Sequence, residues 1–258
     1  MSWKPEQYLA FEDERTRPVR DLLAAVPQGY GGRAIDLGCG PGNSTEVLRA
    51  RVPAARVSGI DSSEAMIGAA RKRLPLLEFS VVDIAGWHDP GPFDVILANA
   101  VLHWLPDHAV LFPALAAKLA PGGALAVQMP DNLAEPTHRL MHEVAMQRPW
   151  ARKLKGAAQS RTALEGAAWY FDVLRPHAAY VDVWRTTYHH SLAGGVGAVV
   201  EWFKGSGLRP FLDPLDAAER SEYLERYTAA IAPFFPERAD GSVLLPFPRL
   251  FMVAIRQQ

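Results

Sequence analysis

Residues 33–43, which read R-A-I-D-L-G-C-G-P-G-N, constrain this chain more than any other stretch. A short apolar run (Ala34, Ile35, Leu37) carries Asp36 and ends in glycines at alternate positions, Gly38, Gly40 and Gly42. An amphipathic segment, 43–52, follows at once, so the order predicted is strand, tight turn, helix. Residues without a Cβ let the backbone approach a ligand and take dihedrals that other residues avoid. The amides at the start of the following helix are expected to be free for a polar or anionic group. Asp61 closes the next apolar run (Val57, Gly59, Ile60) roughly 20 residues on, the spacing at which a carboxylate in a doubly wound α/β fold meets a ribose hydroxyl pair. Spaced glycines alone are common in ordinary loops. With Asp36 before them and Asp61 after, they point to a nucleoside-bearing cofactor.

The strand–helix pattern then repeats. A helix is predicted over 8–26, where Leu22, Leu23 and Val26 recur at helical spacing and Pro18 is tolerable in a first turn. Asn43 and Glu46 match an N-cap and its capping-box partner. Strands are predicted at 56–61, 78–83, 93–99 and 123–129, with Ser62 or Ser63 capping a helix that runs to Arg73. A helix over 106–119 is halted by Pro121-Gly122-Gly123. Asp36, Asp61, Asp83 and Asn99 thus fall at the carboxyl ends of successive strands, where ligands of parallel α/β sheets bind.

After Met129 the rhythm changes. A helix is expected over 135–147 and a helical insertion within the weakly periodic 148–179. An alternating strand at 180–192 is followed by helices near 196–204 and 214–234 and a last strand at 243–255, with Pro246 and Pro248 at its start. The fold class is therefore α/β: a Rossmann-like doubly wound sheet of about seven strands, mostly parallel, with an antiparallel C-terminal strand and a helical insertion over the substrate site. A single domain, 1–258, is expected, with a cofactor-binding half (1–130) and a substrate-side half (131–258).

Composition narrows the partners. The formal net charge is -1 and no block of Lys or Arg stands out, which argues against a nucleic-acid partner. The start of the chain lacks a basic-then-apolar signal pattern, and nowhere do roughly 20 apolar residues run together. The one cysteine, Cys39, has no internal disulfide partner, so a cytoplasmic protein is expected. Inside the glycine turn Cys39 reads as a small residue beside the ligand rather than a nucleophile.

The glycine spacing, G-x-G-x-G after an acidic strand end, differs from the G-x-G-x-x-G of NAD-binding turns. D-L-G-C-G-P-G-N-S-T, G-I-D-S-S and the acid at Asp83 resemble the cofactor motifs of the class I S-adenosylmethionine-dependent methyltransferases. Further stretches, Y-L-A-F-E-D-E-R-T-R-P, L-A-N-A-V-L-H-W-L-P-D-H, A-V-Q-M-P-D-N, V-W-R-T-T-Y, G-L-R-P and F-P-R-L-F, resemble a branch of that family that esterifies the tricarboxylate trans-aconitate. The resemblance spans 3–256, with His103 standing where glutamine is expected before the tryptophan.

The resemblance implies roles for matching positions. Asp36, Gly38, Gly40, Gly42 and Asn43 surround the methionine part of S-adenosylmethionine. Asp61, with Ser62 beside it, takes the ribose hydroxyls, and Met66 lies against the adenine. Asp83 and the Ile84 amide address the adenine edge. Asn99, Ala100 and Leu102 line the cofactor near its sulfur, and Arg17 pairs with its carboxylate, with Arg15 equally placed in sequence. The acceptor carboxylate is already ionised near neutral pH, so no catalytic acid, base or nucleophile and no metal is expected. The other carboxylates need cationic partners, for which Arg185, Arg209 and Arg249 are candidates. His103, Trp104, Tyr188 and Trp202 complete the expected substrate pocket. A different small acid, amine or phenol as acceptor is the alternative. An oxidoreductase is disfavoured by the glycine spacing and the lack of a Tyr-x-x-x-Lys pair, and a DNA amino-methyltransferase by Ala100-Val101-Leu102 where Pro-Pro-aromatic is wanted.

Overall fold

A computed structural model describes residues 12–157, 161 and 163–258. Seven strands, β1 (Arg33–Leu37), β2 (Arg56–Asp61), β3 (Glu78–Val81), β4 (Phe93–Asn99), β5 (Leu119–Pro130), β6 (Tyr180–Ala193) and β7 (Ser242–Ile255), form one sheet in the order β3-β2-β1-β4-β5-β7-β6. The pairs β1–β2, β2–β3, β1–β4 and β4–β5 are parallel. The chain steps outward from β1 to β3, then returns to place β4 on the other side of β1. That reversal makes β1 and β4 the topological switch point, and doubly wound sheets bind ligands in the crevice beyond the carboxyl ends of such strands.

β7 is the antiparallel strand. Arg256 N donates to Gly123 O near the start of β5 (2.9 Å), and Asp131 N, just past its end, donates to Pro248 O (2.9 Å). β6 runs against β7 in turn, with Ala179 N donating to Ile255 O (2.8 Å) and Trp184 stacked on Phe251 at 5.0 Å. The expected antiparallel pair at the end of the chain is therefore present.

Helix α1 (Glu12–Ala24) buries Arg15, Val19, Leu22 and Leu23, one stripe at helical spacing. Residues 8–11 of the helix expected over 8–26 lie outside the described residues, and Pro18 sits within α1 rather than in a first turn. Helices α2 (Asn43–Arg51), α3 (Glu64–Arg73) and α4 (His108–Ala117) alternate with the parallel strands. Val95, Ile96, Leu97 and Ala98 of β4 are all buried, as expected of a strand covered on both faces. Two boundaries differ from expectation. β3 ends at Val81, because Asp83 accepts from Ala85 N (2.9 Å) and starts a short 3-10 turn, Ile84–Gly86. β5 begins at Leu119, since Pro121-Gly122-Gly123 is taken into the strand as an irregularity: Phe93 pairs with Leu119, but Val95 already pairs with Ala124.

The chain divides into two compact units. One comprises the chain up to Pro130 together with Leu164–Thr186 and Leu250–Gln258; the other is Asp131–Ala163 with Thr187–Arg249. Residues 131–258 therefore do not form one body. The first unit includes α6 (Ala167–Leu174), whose Tyr170 is buried with Phe112, Leu115 and Leu125 in the core. The second holds α5 (Pro136–Ala145), α7 (Gly195–Lys204), α8 (Arg209–Leu212) and α9 (Ala217–Ile231). Its α9 is locked to α5 by two buried tyrosines: Tyr223 donates to Met141 O (2.8 Å) and Tyr227 to Thr137 O (3.2 Å). No helix among the described residues is long and apolar enough to cross a membrane.

Candidate functional site

At the end of β1 the glycine turn is shaped by two different constraints. Gly38 has φ +67°, and a Cβ there would lie 2.4 Å from Val101 Cγ2, so the turn and the segment after β4 are in close contact. Gly40 has φ +53° with nothing within 4 Å of a Cβ, so the room there is open. Gly42, at φ 92°, is the N-cap of α2. Asn43 is thus the first helical residue and not the cap. Its Nδ2 donates to Thr16 Oγ1 of α1 at 3.1 Å, while Glu46 pairs with Arg73 at 2.6 Å instead of closing a capping box. Ser63 does cap α3, accepting from Met66 N at 3.4 Å; Ser62 beside it is exposed and Met66 is buried.

Three amides of this turn are bonded within the protein. Cys39 N donates to Ile60 O (2.9 Å), Gly42 N to Cys39 O (3.1 Å) and Gly40 N to Asp61 Oδ2 (3.0 Å). Asp61 Oδ1 accepts from Ser63 N at 2.8 Å, so this carboxylate fastens the turn to the start of the next helix. What the crevice does offer is acceptors. Asp36 Oδ2 receives Ser44 Oγ (2.6 Å) and Thr45 Oγ1 (2.7 Å), but its Oδ1 is buried without a hydrogen-bond partner among the described residues. Asn99 Oδ1, at the end of the adjacent strand β4, is in the same condition. Burial pushes the Asp36 carboxyl up to about 7, against the two hydroxyl donors that favour its ionised form, and the charge of Asp61 adds to the rise. Burial also raises Asp61, with the Ser63 and Gly40 amides opposing. The Cys39 thiol is pushed up by burial and then by both carboxylates, so it stays protonated and is no nucleophile at neutral pH.

Beyond Asn99 the chain turns sharply. Ala100 takes φ 53°, a left-handed conformation uncommon outside glycine, while its N–H donates to Gln128 O at 2.8 Å. A 3-10 turn, Leu102–Trp104, follows with Leu102 and His103 buried and the rings of His103 and Trp104 4.9 Å apart. His108 fixes this turn: its Nε2 donates to Leu102 O at 3.0 Å, and its Nδ1 lies 2.7 Å from Tyr170 OH. On α1, the arginine turned inward is Arg15, 7% exposed, whereas the side chain of Arg17 is 70% exposed beside Asp21. Arg15 shares the buried face of α1 with Val19, Leu22 and Leu23, and Arg17 does not.

The expected substrate residues are distributed over both units. Arg185, in the first, is exposed on the face of β6 opposite Trp184. In the second, Arg209 is half-buried at the start of α8, and Arg249 is 4% exposed with its guanidinium 4.6 Å over the Phe247 ring. Tyr188 and Trp202 are buried, and His190 stacks between them at 6.2 and 4.7 Å. Arg161, outside the expected set, donates from Nη1 to Asn132 Oδ1 (3.0 Å) and lies 2.9 Å from His138 Nε2. Arg161 falls in the weakly periodic stretch, where nothing marks one arginine among many; only Asn132, in the A-V-Q-M-P-D-N run, carried a signal.

Comparison with known proteins shows the family. A family model described as a methyltransferase domain matches residues 10–173. A trans-aconitate 2-methyltransferase of Methylobacterium nodulans is 57% identical over 98% of each chain, and one of Rhodopseudomonas palustris 54% identical over 98% of this chain and 99% of that one. Among solved structures, phosphoethanolamine N-methyltransferase 2 of Haemonchus contortus, in complex with S-adenosyl-L-methionine, superposes with a TM-score of 0.55 at 16% identity, covering 95% of this chain and 53% of that one.

Proposed function

The chain belongs to the methyltransferase family of the trans-aconitate 2-methyltransferases, and from that premise we propose that it transfers a methyl group from S-adenosylmethionine to a carboxylate of trans-aconitate, giving the monomethyl ester. One observation carries the cofactor side. Three turn amides are engaged by the protein itself, while Asp36 Oδ1 and Asn99 Oδ1, on neighbouring strands, are buried acceptors in need of donors. A phosphate-bearing dinucleotide wants the reverse, amides facing an anion. A ligand bearing an ammonium and a sulfonium fits acceptors.

When bound, S-adenosylmethionine supplies the methyl group already activated as a sulfonium. Asp36 and Asn99 would receive its donors, and Asp61, held by Gly40 and Ser63, has lone pairs left for the ribose hydroxyls. Gly40 leaves the room in which the backbone can pass close to it. Asp83 and Ile84 stand at the adenine end, and Arg15 replaces Arg17 as the partner of the amino-acid carboxylate. The acceptor oxygen is a carboxylate ionised well below neutral pH, so no side chain has to remove a proton. The protein's work is alignment of oxygen, methyl and sulfur at about 3–3.5 Å and exclusion of water. His103 and Trp104 serve as contact residues. Arg249, Arg209 and Arg185, with Tyr188 and Trp202, remain the residues for the rest of the tricarboxylate.

A substrate panel tests this: purified protein, methyl-labelled cofactor, and small acids, amines and phenols, each product read by mass spectrometry. Trans-aconitate should show the highest kcat/KM. Efficient methylation of an amine or phenol with trans-aconitate inert would overturn the assignment of the acceptor while leaving methyl transfer in place.

A further inference from the structure

Among the described residues, two that are not glycine take a left-handed backbone: Ala100 (φ 53°) and Asp107 (φ 56°). They bracket the short segment that carries His103 and Trp104, just past the end of β4. Such conformations are unfavourable for residues with a Cβ and persist where the surroundings dictate them. Three contacts inside the first unit hold this segment. Ala100 N donates to Gln128 O of β5 at 2.8 Å. Val101 packs so closely on the glycine turn that a Cβ at Gly38 would lie 2.4 Å from its Cγ2. His108, the first residue of α4, donates from Nε2 to Leu102 O at 3.0 Å.

The His108 bond differs from the other two, because it takes a polar side chain into the core. Leu102 O already accepts from Leu105 N (2.9 Å) within its own turn, and His108 uses the second lone pair. A carbonyl cannot donate, so Nε2 carries a proton whichever way the bond across the ring runs. On that other side Nδ1 lies 2.7 Å from Tyr170 OH, 62 residues away on α6. Tyr170 is fully buried, its ring 5.0 Å from Trp169 and 5.1 Å from Phe112, and Phe112 meets the His108 ring edge-on at 5.3 Å. Apolar side chains would fill this volume without the desolvation that an imidazole and a phenol carry. The two polar groups instead form a line from α6 through α4 to one backbone carbonyl. That carbonyl belongs to Leu102, next to His103 and Trp104. A reaction whose barrier depends on alignment gains from a turn that cannot yield, since a misplacement of about 1 Å can cost about 100-fold in rate.

We propose that His108, steadied by Tyr170, is a positioning residue for methyl transfer. By fixing the Leu102 carbonyl it holds the turn that sets the acceptor against the sulfonium, and it acts through that turn rather than on the reacting atoms. This rests on the reading above that Leu102, His103 and Trp104 line the site of transfer. It does not depend on which acceptor is used.

Rapid-quench single turnovers, with the full chain in excess over methyl-labelled S-adenosylmethionine and trans-aconitate saturating, measure the transfer step. Calorimetric titration of S-adenosylhomocysteine measures cofactor affinity beside it. His108→Leu, which keeps bulk but has no donor, should transfer the methyl group about 100-fold more slowly, with S-adenosylhomocysteine affinity within about threefold. His108→Gln puts an amide N–H near the Nε2 position and should recover most of the rate. Tyr170→Phe keeps the ring packing and should show a smaller loss in the same direction. Should the leucine variant not fold, Tyr170→Phe decides: slower transfer with cofactor affinity kept supports the proposal, and an unchanged rate overturns it. Equal rates in the glutamine and leucine variants would reduce His108 to packing, and parallel losses of rate and cofactor affinity would make the turn a cofactor-binding element alone; either overturns the positioning role. Two further variants separate this proposal from the reading beneath it. If His103→Ala and Trp104→Ala impair kcat/KM for trans-aconitate while the His108 and Tyr170 variants match wild type, the positioning role alone is wrong. If His103→Ala and Trp104→Ala leave kcat/KM unchanged, the turn does not line the site of transfer and the proposal falls with that placement.

Discussion

Asp36→Asn should make the cofactor-free protein more stable at pH 8 and less stable at pH 4. The folded carboxyl is pushed up to about 7 from an ordinary 3.8, chiefly by complete burial. A folded pKa above the unfolded one means that the folded state holds the extra proton between these values. This group's contribution to stability therefore declines as pH rises from about 4 to about 7, and is constant beyond. The full decline is on the order of 4 kcal/mol, from about three pKa units at 1.36 kcal/mol each. Asparagine does not titrate and escapes it. Its carbonyl takes the Oδ2 position, facing Ser44 and Thr45, which leaves its NH2 where Oδ1 now lies buried without a partner among the described residues. That mismatch costs about 1–3 kcal/mol at every pH. The net is a gain of about 1–3 kcal/mol at pH 8 and a loss of similar size at pH 4. Urea unfolding of both proteins at pH 4, 5, 6, 7 and 8 measures this, and cofactor titration should show weaker S-adenosylmethionine binding by the variant. Parallel stability curves across that range would refute the raised pKa of this buried carboxyl.

Asp61→Ala should weaken S-adenosylmethionine binding by about 1.5–3 kcal/mol through loss of a charged acceptor, and lower Tm as Gly40 and Ser63 lose their partner; unchanged affinity by calorimetry would remove Asp61 from the site. Gly40→Ala should cost only about 1–2 kcal/mol of stability, since the space is open and only φ is strained, yet it should impair cofactor binding sharply; Gly38→Ala should mainly destabilise, by collision with Val101, and thermal melts beside cofactor titrations distinguish the two. With an acceptor already ionised, kcat should stay nearly flat from roughly pH 6.5 to 8.5, and His103→Ala should act through KM; a roughly thousandfold fall in kcat at saturation would make His103 a participant in the chemistry.

The centre of the sheet was legible in the sequence because β1 and β4 are short apolar runs, and burial on both faces leaves such runs little choice. The glycine turn was legible for the same local reason: φ above zero at three alternate positions demands glycine. The N-cap was misread because Asn43 matches capping chemistry, yet the left-handed Gly42 takes that position and releases Asn43 to reach Thr16, a contact 27 residues away in sequence. The partners of the Cys39 and Gly40 amides, Ile60 and Asp61, come from the next strand and carry no local signal. Arg15 and Arg17 are indistinguishable by residue type; only the helical phase set by Val19 and Leu22 turns Arg15 inward.

The most direct measurement of the central claim is the chemical position of the transferred carbon. With S-adenosylmethionine carrying a 13C methyl group and trans-aconitate in excess, the product's NMR spectrum should contain one new signal in the methyl-ester region, released as labelled methanol by mild alkali, as a carboxylate acceptor requires. A label that resists alkali on carbon or nitrogen, or one that stays on the cofactor through many enzyme equivalents of trans-aconitate, would contradict it.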